Sequence, residues 1–428
     1  MVTFISRLSY KLKGGAQLRL NFKNYDDYYS KCNNYSSHEC SKCKGTKEVA
    51  ISEGTVIIAD RIMNFEDIPV LKCTFCGAVS LADHSKKMID ECYKYMIKEN
   101  HLEGNHKYNG YRKKFEYCQE DDLIYDHRDY YSIPGLSVDF EHSIEGFLTP
   151  VYFTKKSVLH FMHDPDYEFR LFSDTYGQVG YKDEWIVPFG INSEDKIVFW
   201  LGDLSYMDKT SLNILKPHNI ESDHQLTRSE FYAAQLCCMW SEPNRELRVC
   251  YKKCDFYNAV KKAYHLSLEH LESEIKEQMN RFQKPIVISE KTIEPTINML
   301  HKVLIEGVNI KELRNLYLKV EVSPAEGYED WKSIKLYEGI LKALMKGNIE
   351  KLDITSIIGP LYLLNDLRQY YDHLLSNEKR NVIKENIIKT FNLESFEEID
   401  SLYEQLIDGL NMLFEYFILA TNNQSLDQ

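Results

Sequence analysis

The sequence predicts an α+β protein of several domains, with a β-rich N-terminal region, a mixed α/β centre and a C-terminal four-helix bundle. Three observations lead there. Short apolar–polar alternations crowd the first eighty residues, strand-like and helix-like segments interleave from Gly146 to about Ile220, and beyond Tyr257 apolar residues recur every three or four positions. A length of 428 residues agrees, being more than one core ordinarily holds. With 43% hydrophobic and 27% charged residues the chain has an ordinary globular composition. Fifty-two basic residues against 65 acidic ones leave a net charge of −13, so the whole molecule exerts no general pull on polyanions. Any nucleic-acid contact has to come from a local site. Mean hydropathy is −0.43, and the strongest apolar runs, Ile197–Leu201 and Phe417–Ala420, fall far short of a bilayer span. The opening MVTFISRLSYKLK lacks an apolar signal core and a small-residue cleavage site. A cytoplasmic protein without a membrane partner is expected.

Element by element, residues 1–84 read as β-rich, with Ala16–Phe22 alternating and Thr55–Ile58 β-branched. Residues 85–145 are charged and Tyr-rich, with a helix over Lys86–Lys98. In the mixed centre, 146–256, strands are expected in Gly146–Phe153, Trp185–Val187 and Ile197–Leu201, and a short helix over Lys155–His163. Across 257–322 the 3–4 spacing from Tyr257 through Tyr264, Leu268, Leu271 and Met279 to Phe282 predicts one long amphipathic helix ending before Pro285. Asn309 with Glu312, and Ser395 with Glu398, have capping-box spacing. Residues 323–428 parse as four helices near 330–346, 360–375, 378–391 and 396–420. Gly359-Pro360 places proline in the first turn of the second.

Two C-x-x-C pairs stand out, Cys40/Cys43 and Cys73/Cys76, with twenty-nine residues between them. A tight turn lets both sulfurs of such a pair reach one ion, and glycine after the second thiolate (Gly45, Gly77) relieves crowding there. Four thiolates complete a tetrahedral shell and leave no position for a reactive water, so Zn2+ at this site is expected to be structural. A redox C-x-x-C would need a thioredoxin-like βαβ context that is absent. The arrangement resembles a zinc ribbon. Cys32 is left outside the shell, and eleven cysteines, an odd number, fit metal binding plus core thiols better than disulfides. A second group, Cys237, Cys238, Cys250 and Cys254, is a weaker metal candidate, buried core thiols being the alternative.

Other constellations lack their chemical context. His160 and His163 beside Asp164 and Asp166 have helical ligand spacing but no glutamate base between the histidines. Ser222-Asp223-His224 has no G-x-S-x-G elbow, and no Gly-rich phosphate loop occurs anywhere.

Within the second bundle helix, LNDLRQYYDHLL contains Arg368-x4-His373. This resembles the R-x4-6-H motif of HEPN domains, a helical-bundle family with many metal-independent ribonucleases of bacterial toxin and antiviral defence systems. The resemblance implies cleavage of RNA by 2′-hydroxyl attack at a homodimer interface through the C-terminal bundle, His373 moving protons and Arg368 stabilising phosphoryl charge. Position 369 is Gln, where many active members carry Asn, His or Asp. In the residues alone, Arg368 with Asp372 also reads as an i, i+4 surface ion pair. The other function class is a non-enzymatic binding protein, whose ribbon and centre recognise nucleic acid or a protein trigger while the bundle dimerises.

Overall fold

The computed structural model describes residues 18–32, 36–107, 113–117, 123–136, 145–346, 353–372, 374–391, 393–396 and 398–424. The chain divides into two compact units, Met1–Phe169 with Thr175–Ser241, and Arg170–Asp174 with Glu242–Gln428. Mixed α/β structure fills the first and helices the second, in keeping with an α+β chain.

The first unit opens with β1 (Leu18–Phe22), α1 (Tyr25–Cys32), β2 (Lys47–Ile58), β3 (Arg61–Cys73), β4 (Val79–Leu81), α2 (Asp83–Lys98) and β5 (Glu103–His106). Strands β2 and β3 form a long antiparallel hairpin, with a register shift between Ser52 and Gly54. On one side β1 joins it in parallel, and on the other β4 (antiparallel) and β5 (parallel) pair with β3. One face of the hairpin is apolar, and Val56, Ile58, Met63, Phe65 and Ile68 are buried with Tyr28 of α1 and with Ile89 and Met96 of α2. That burial makes an otherwise exposed two-stranded ribbon stable.

After α3 (His127–Ser132) the chain continues with β6 (Pro150–Thr154), α4 (Leu159–His163), β7 (Tyr167–Leu171), β8 (Tyr176–Tyr181), β9 (Trp185–Ile191) and β10 (Lys196–Trp200). Then come α5 (Leu201–Leu204), α6 (Lys209–Leu215), β11 (Asn219–Ile220) and α7 (Glu230–Cys237). The second sheet runs β11-β6-β10-β9-β8-β7, and Phe153, Val187, Phe189 and Phe199 are fully buried in it. In the WLGD run of Trp200–Asp203, Gly202 lies so close to Phe147 that a Cβ would stand 2.1 Å from the ring. Only glycine fits that approach.

The second unit holds α8 (Arg245–Tyr264), α9 (Glu272–Arg281), α10 (Glu290–His301), α11 (Ile310–Val320), α12 (Ser333–Leu344), α13 (Ile354–Asp372), α14 (Asn377–Phe391) and α15 (Ile399–Gln424). Here two sequence expectations are corrected. The apolar stripe from Tyr257 to Phe282 belongs to two helices, because His265 (φ 57°) and Leu271 (φ 56°) adopt left-handed backbone that ends α8 and opens α9. Between them Leu268 is still buried, and its carbonyl accepts the N–H of Asn309 at 3.0 Å. Periodicity registers burial and is blind to this break.

Pro360 does not start a helix either. Helix α13 begins at Ile354 and carries Pro360 inside it. The ring packs on α15 at Gly409, where a Cβ would lie 2.5 Å from Pro360 Cγ, so the partner helix makes room for it. The four helices of 323–428 also share one core with α8, α10 and α11: α15 lies along α8, and α13 lies along α10.

Candidate metal centre and polar clusters

The hairpin geometry explains why the two cysteine pairs meet. Lys47 pairs with Cys73 in the β2–β3 ladder, so the knuckle before β2 and the knuckle after β3 stand at one end of the ribbon. Within the first knuckle Lys44 donates its N–H to the Cys40 carbonyl at 2.8 Å, and within the second Gly77 donates to Cys73 at 3.0 Å. The four Sγ atoms all lie within 4.8 Å of one another, and among the described residues no other group of three or more potential ligands is so close. Cys43 Sγ is 3.5 Å from Cys73 Sγ, and Cys40 Sγ is 3.7 Å from Cys76 Sγ. Four sulfurs each about 2.3 Å from a zinc ion form a tetrahedron with edges of about 3.8 Å. Those two separations match such an edge, and the donor set is one that a tetrahedral thiophilic ion takes.

The four thiols are not alike: Cys40 and Cys73 are drawn down, while at Cys43, against the pull of the Gly45 N–H, burial and the neighbouring sulfurs push the thiol up to about 12. The Cys76 N–H points at Cys73 Sγ (3.5 Å), and with the Phe75 N–H it draws the Cys73 thiol down to about 6, where the metal-binding thiolate is the ordinary form. A Cβ on Gly45 would stand 3.3 Å from both Cys43 Sγ and Cys73 Sγ, and Gly77 has φ 70°. Gly45 thus relieves crowding as the sequence suggests, whereas at Gly77 no atom lies within 4 Å of a Cβ and glycine serves the left-handed backbone instead. Cys32 stands apart. Cys237 and Cys238 lie in the first unit and Cys250 and Cys254 on α8 of the second, and neither pair joins a ligand cluster among the described residues. His160 points its Nε2 at Asp164, 3.3 Å away at the surface, and gathers no further ligand.

Glu48, one residue into β2, was not singled out by sequence. Its buried carboxylate accepts the backbone N–H groups of Leu226, Thr227 and Arg228, each at 3.0 Å, while Thr227 Oγ1 donates to the Lys47 carbonyl at 2.8 Å. The hairpin that carries the four cysteines is anchored by this contact to the segment ahead of α7. A single glutamate in a strand carries no signal of it.

Ser222 and His224 converge with Asp129 of α3, which is 3% exposed. Asp129 Oδ1 lies 2.6 Å from His224 Nδ1, and Oδ2 accepts from Ser222 Oγ at 2.6 Å. Serine and imidazole therefore share one carboxylate. Ser222 faces the Nδ1 side of the ring at 3.4 Å, which is the wrong side for an acyl-transfer nucleophile. His224 has φ 63°, a strained backbone that this contact over-determines. Burial opposes the charged imidazole, but the Asp129 carboxylate outweighs it and holds the pKa above its usual value. A raised folded-state pKa stabilises the fold below the unfolded value, near 6.5, and that stabilisation fades as pH rises through the folded pKa. An NMR titration should therefore place the His224 midpoint above the ordinary value, and Asp129→Asn should bring it below. A midpoint that ignores the substitution would exclude the pairing.

In the second unit Arg368 sits on α13, 28% exposed, with Nη2 3.6 Å from Glu306 and Nε 3.6 Å from Asp372. Asn298 donates to the other oxygen of Asp372 at 2.9 Å. His301 is buried at the end of α10, its Nδ1 3.2 Å from the same Glu306 oxygen but without hydrogen-bond alignment. Burial lowers the His301 pKa against the pull of Glu306. Lys302–Glu306 forms a π-helical turn, a departure from α geometry that recurs at functional sites. Asn298 Oδ1 and His301 Nδ1 are buried without hydrogen-bond partners, so this corner of an apolar core has unmet polar capacity. His373 lies outside the described residues.

Comparison of the chain with protein-family models, with curated proteins and with solved structures finds no match in any of the three.

Proposed function

We propose that the chain is a metal-independent endoribonuclease of a bacterial defence or toxin system, with a structural zinc site in its first unit and the reacting groups in its second. The observation that carries the reading is the polar corner around Arg368, where His301, Asn298, Glu306 and Asp372 gather at the edge of a largely apolar core. RNA supplies its own nucleophile, so the protein has to move protons and balance charge on the phosphoryl group. A guanidinium forks across two phosphate oxygens, and an imidazole exchanges protons near neutrality. Arg368 and His373 take these roles, paired with the same residues of a second copy.

Two carboxylates already compensate the Arg368 charge, so a phosphate must displace Glu306 or Asp372 to reach it. That same pairing favours a second reading, in which the bundle only dimerises and the zinc-bearing unit binds a protein or nucleic acid. Purified protein in excess EDTA separates the two. RNA fragments ending in 2′,3′-cyclic phosphate are expected from wild type, with cleavage at least about a hundredfold slower for His373→Ala. Equal cleavage by both proteins, or none by wild type, would remove the catalytic assignment and leave the binding reading.

Zinc is the ion we assign to the four cysteines, because four thiolates at these separations match its preferred tetrahedral shell. When bound it cross-links the two knuckles and offers no open position for chemistry.

A further inference from the structure

We propose that the cleft between α1 and α2 is a binding site for a nucleoside phosphate, with the base stacked on Tyr29 and the phosphate held by Lys87 and Lys94. The inference rests on the first unit alone and does not depend on the reading of the bundle.

The cleft encloses about 250 Å³. That is just under the usual lower bound of roughly 300 Å³ for a small-molecule pocket, room for one flat ring and its substituent. Tyr25, Tyr28 and Tyr29 of α1 line one wall, and Tyr93 of α2, outside the lining, backs Tyr25 in a three-ring stack. Tyr93 and Tyr25 are nearly parallel (15°, centroids 5.1 Å apart), and Tyr29 follows Tyr25 at 6.3 Å and 28°. Tyr29 ends the stack and is 53% exposed, so its outer face is open to another ring. A planar base continues such a stack in the geometry aromatic pairs prefer. The order is maintained from behind: the Tyr25 hydroxyl donates to Asp90, and the buried Tyr28 donates to the Lys86 carbonyl at 2.7 Å.

The opposite wall is cationic. Lys86, Asp90 and Lys94 follow at four-residue spacing on α2, and Lys87 stands seven residues before Lys94, so all four side chains share one face. Three ammonium groups meet one lining carboxylate, in a chain whose net charge is −13. The three differ in availability. Lys86 is engaged by Asp83 (2.6 Å) and Ser36 (3.1 Å), and Lys94 bonds Asp90 at 2.6 Å while staying 67% exposed. Lys87 is exposed and makes no ion pair among the described residues. Two exposed ammonium groups on one helix face suit a phosphate, which each can meet as a point charge. Together, an open aromatic face and a cationic wall select a ligand that is flat at one end and anionic at the other. The shared chemistry is that of a free mononucleotide or the terminal nucleotide of an RNA strand.

Cys32 lines the same cleft, half-buried, its thiol pushed up by burial. It offers a reporter that does not depend on any activity.

The test uses the full-length, metal-loaded protein with three probes: AMP, adenosine, and a 5′-phosphorylated hexaribonucleotide. Calorimetric titration should show saturable binding of AMP, weakened at least tenfold by Tyr29→Ala and by Lys87→Glu and retained by Tyr29→Phe. Adenosine should bind at least tenfold more weakly than AMP. AMP should also slow alkylation of Cys32, read on its own peptide by mass spectrometry. Both altered side chains are exposed, so unchanged thermal unfolding and metal content serve as the folding controls. A hexamer that binds tenfold more tightly than AMP points to an RNA end, and equal affinities point to a free nucleotide. No saturable binding of AMP or the hexamer would overturn the proposal, as would wild-type affinity in folded Tyr29→Ala and Lys87→Glu.

Discussion

Cys73→Ser is expected to leave the protein without its metal and to unfold the end of the β2–β3 hairpin. Cys73 closes β3 in the core, 1% exposed, and its sulfur lies 3.5 Å from Cys43 Sγ while accepting the Cys76 N–H. Serine keeps the volume and loses the thiolate, so the loss is one of coordination, not packing. Structural zinc in small cysteine sites contributes on the order of 10–16 kcal/mol of binding free energy at neutral pH, which these knuckles, with few apolar contacts of their own, have no means to replace. Elemental analysis should fall from about one zinc per chain to below about a tenth. Limited proteolysis should open new cuts between residues 36 and 82. Cys92→Ser, on α2 outside the cluster, should keep its zinc. If Cys73→Ser retains a full equivalent of zinc, the four-thiolate centre is wrong. Chelation of wild type should reproduce the variant.

The second large effect is expected at Glu48. Truncation to alanine removes the acceptor for three backbone N–H groups at 3.0 Å in a buried site, leaving all three unpaired. Each orphaned donor costs about 1–3 kcal/mol, and breaking a buried charged contact costs about 3–5 kcal/mol, so a loss of about 3–5 kcal/mol from the first unit is expected. Glu48→Gln keeps one carbonyl oxygen and the shape, and should lose about half as much. Because the chain has two units, the measurement is the urea midpoint of the transition that carries the first unit, followed by hydrogen exchange at Leu226 to Arg228. Midpoints identical to wild type in both variants would show that this anchor contributes nothing.

These two predictions differ in how visible their residues are in the sequence. The convergence of the four cysteines could be read directly, because each knuckle brings two sulfurs together within one turn of chain, and glycine marks where the turn is tight. Helix caps are local in the same way: Asn309 does accept the Glu312 N–H, and the Glu398 carboxylate does return to the Ser395 N–H. Glu48 and its partners are separated by 178 to 180 positions, and Asp129 and His224 by 95. No local pattern encodes such pairs. Arg368 was visible as half of a motif, but its neighbours Glu306 and His301 come from another helix and were not.

By itself the sequence determined the α+β character, the four cysteines that converge, and the apolar stripe beyond Tyr257, since these follow from spacing along a chain of known geometry. Tertiary structure decided the rest. Left-handed backbone at His265 and Leu271 divides one apolar stripe between two helices, and a glycine on α15 admits a proline into the middle of α13. The two knuckles share one ion site because the β2–β3 ladder sets Lys47 against Cys73. In each case the deciding energy lies in contacts between segments distant in sequence, where burial and hydrogen-bond satisfaction outweigh local preference.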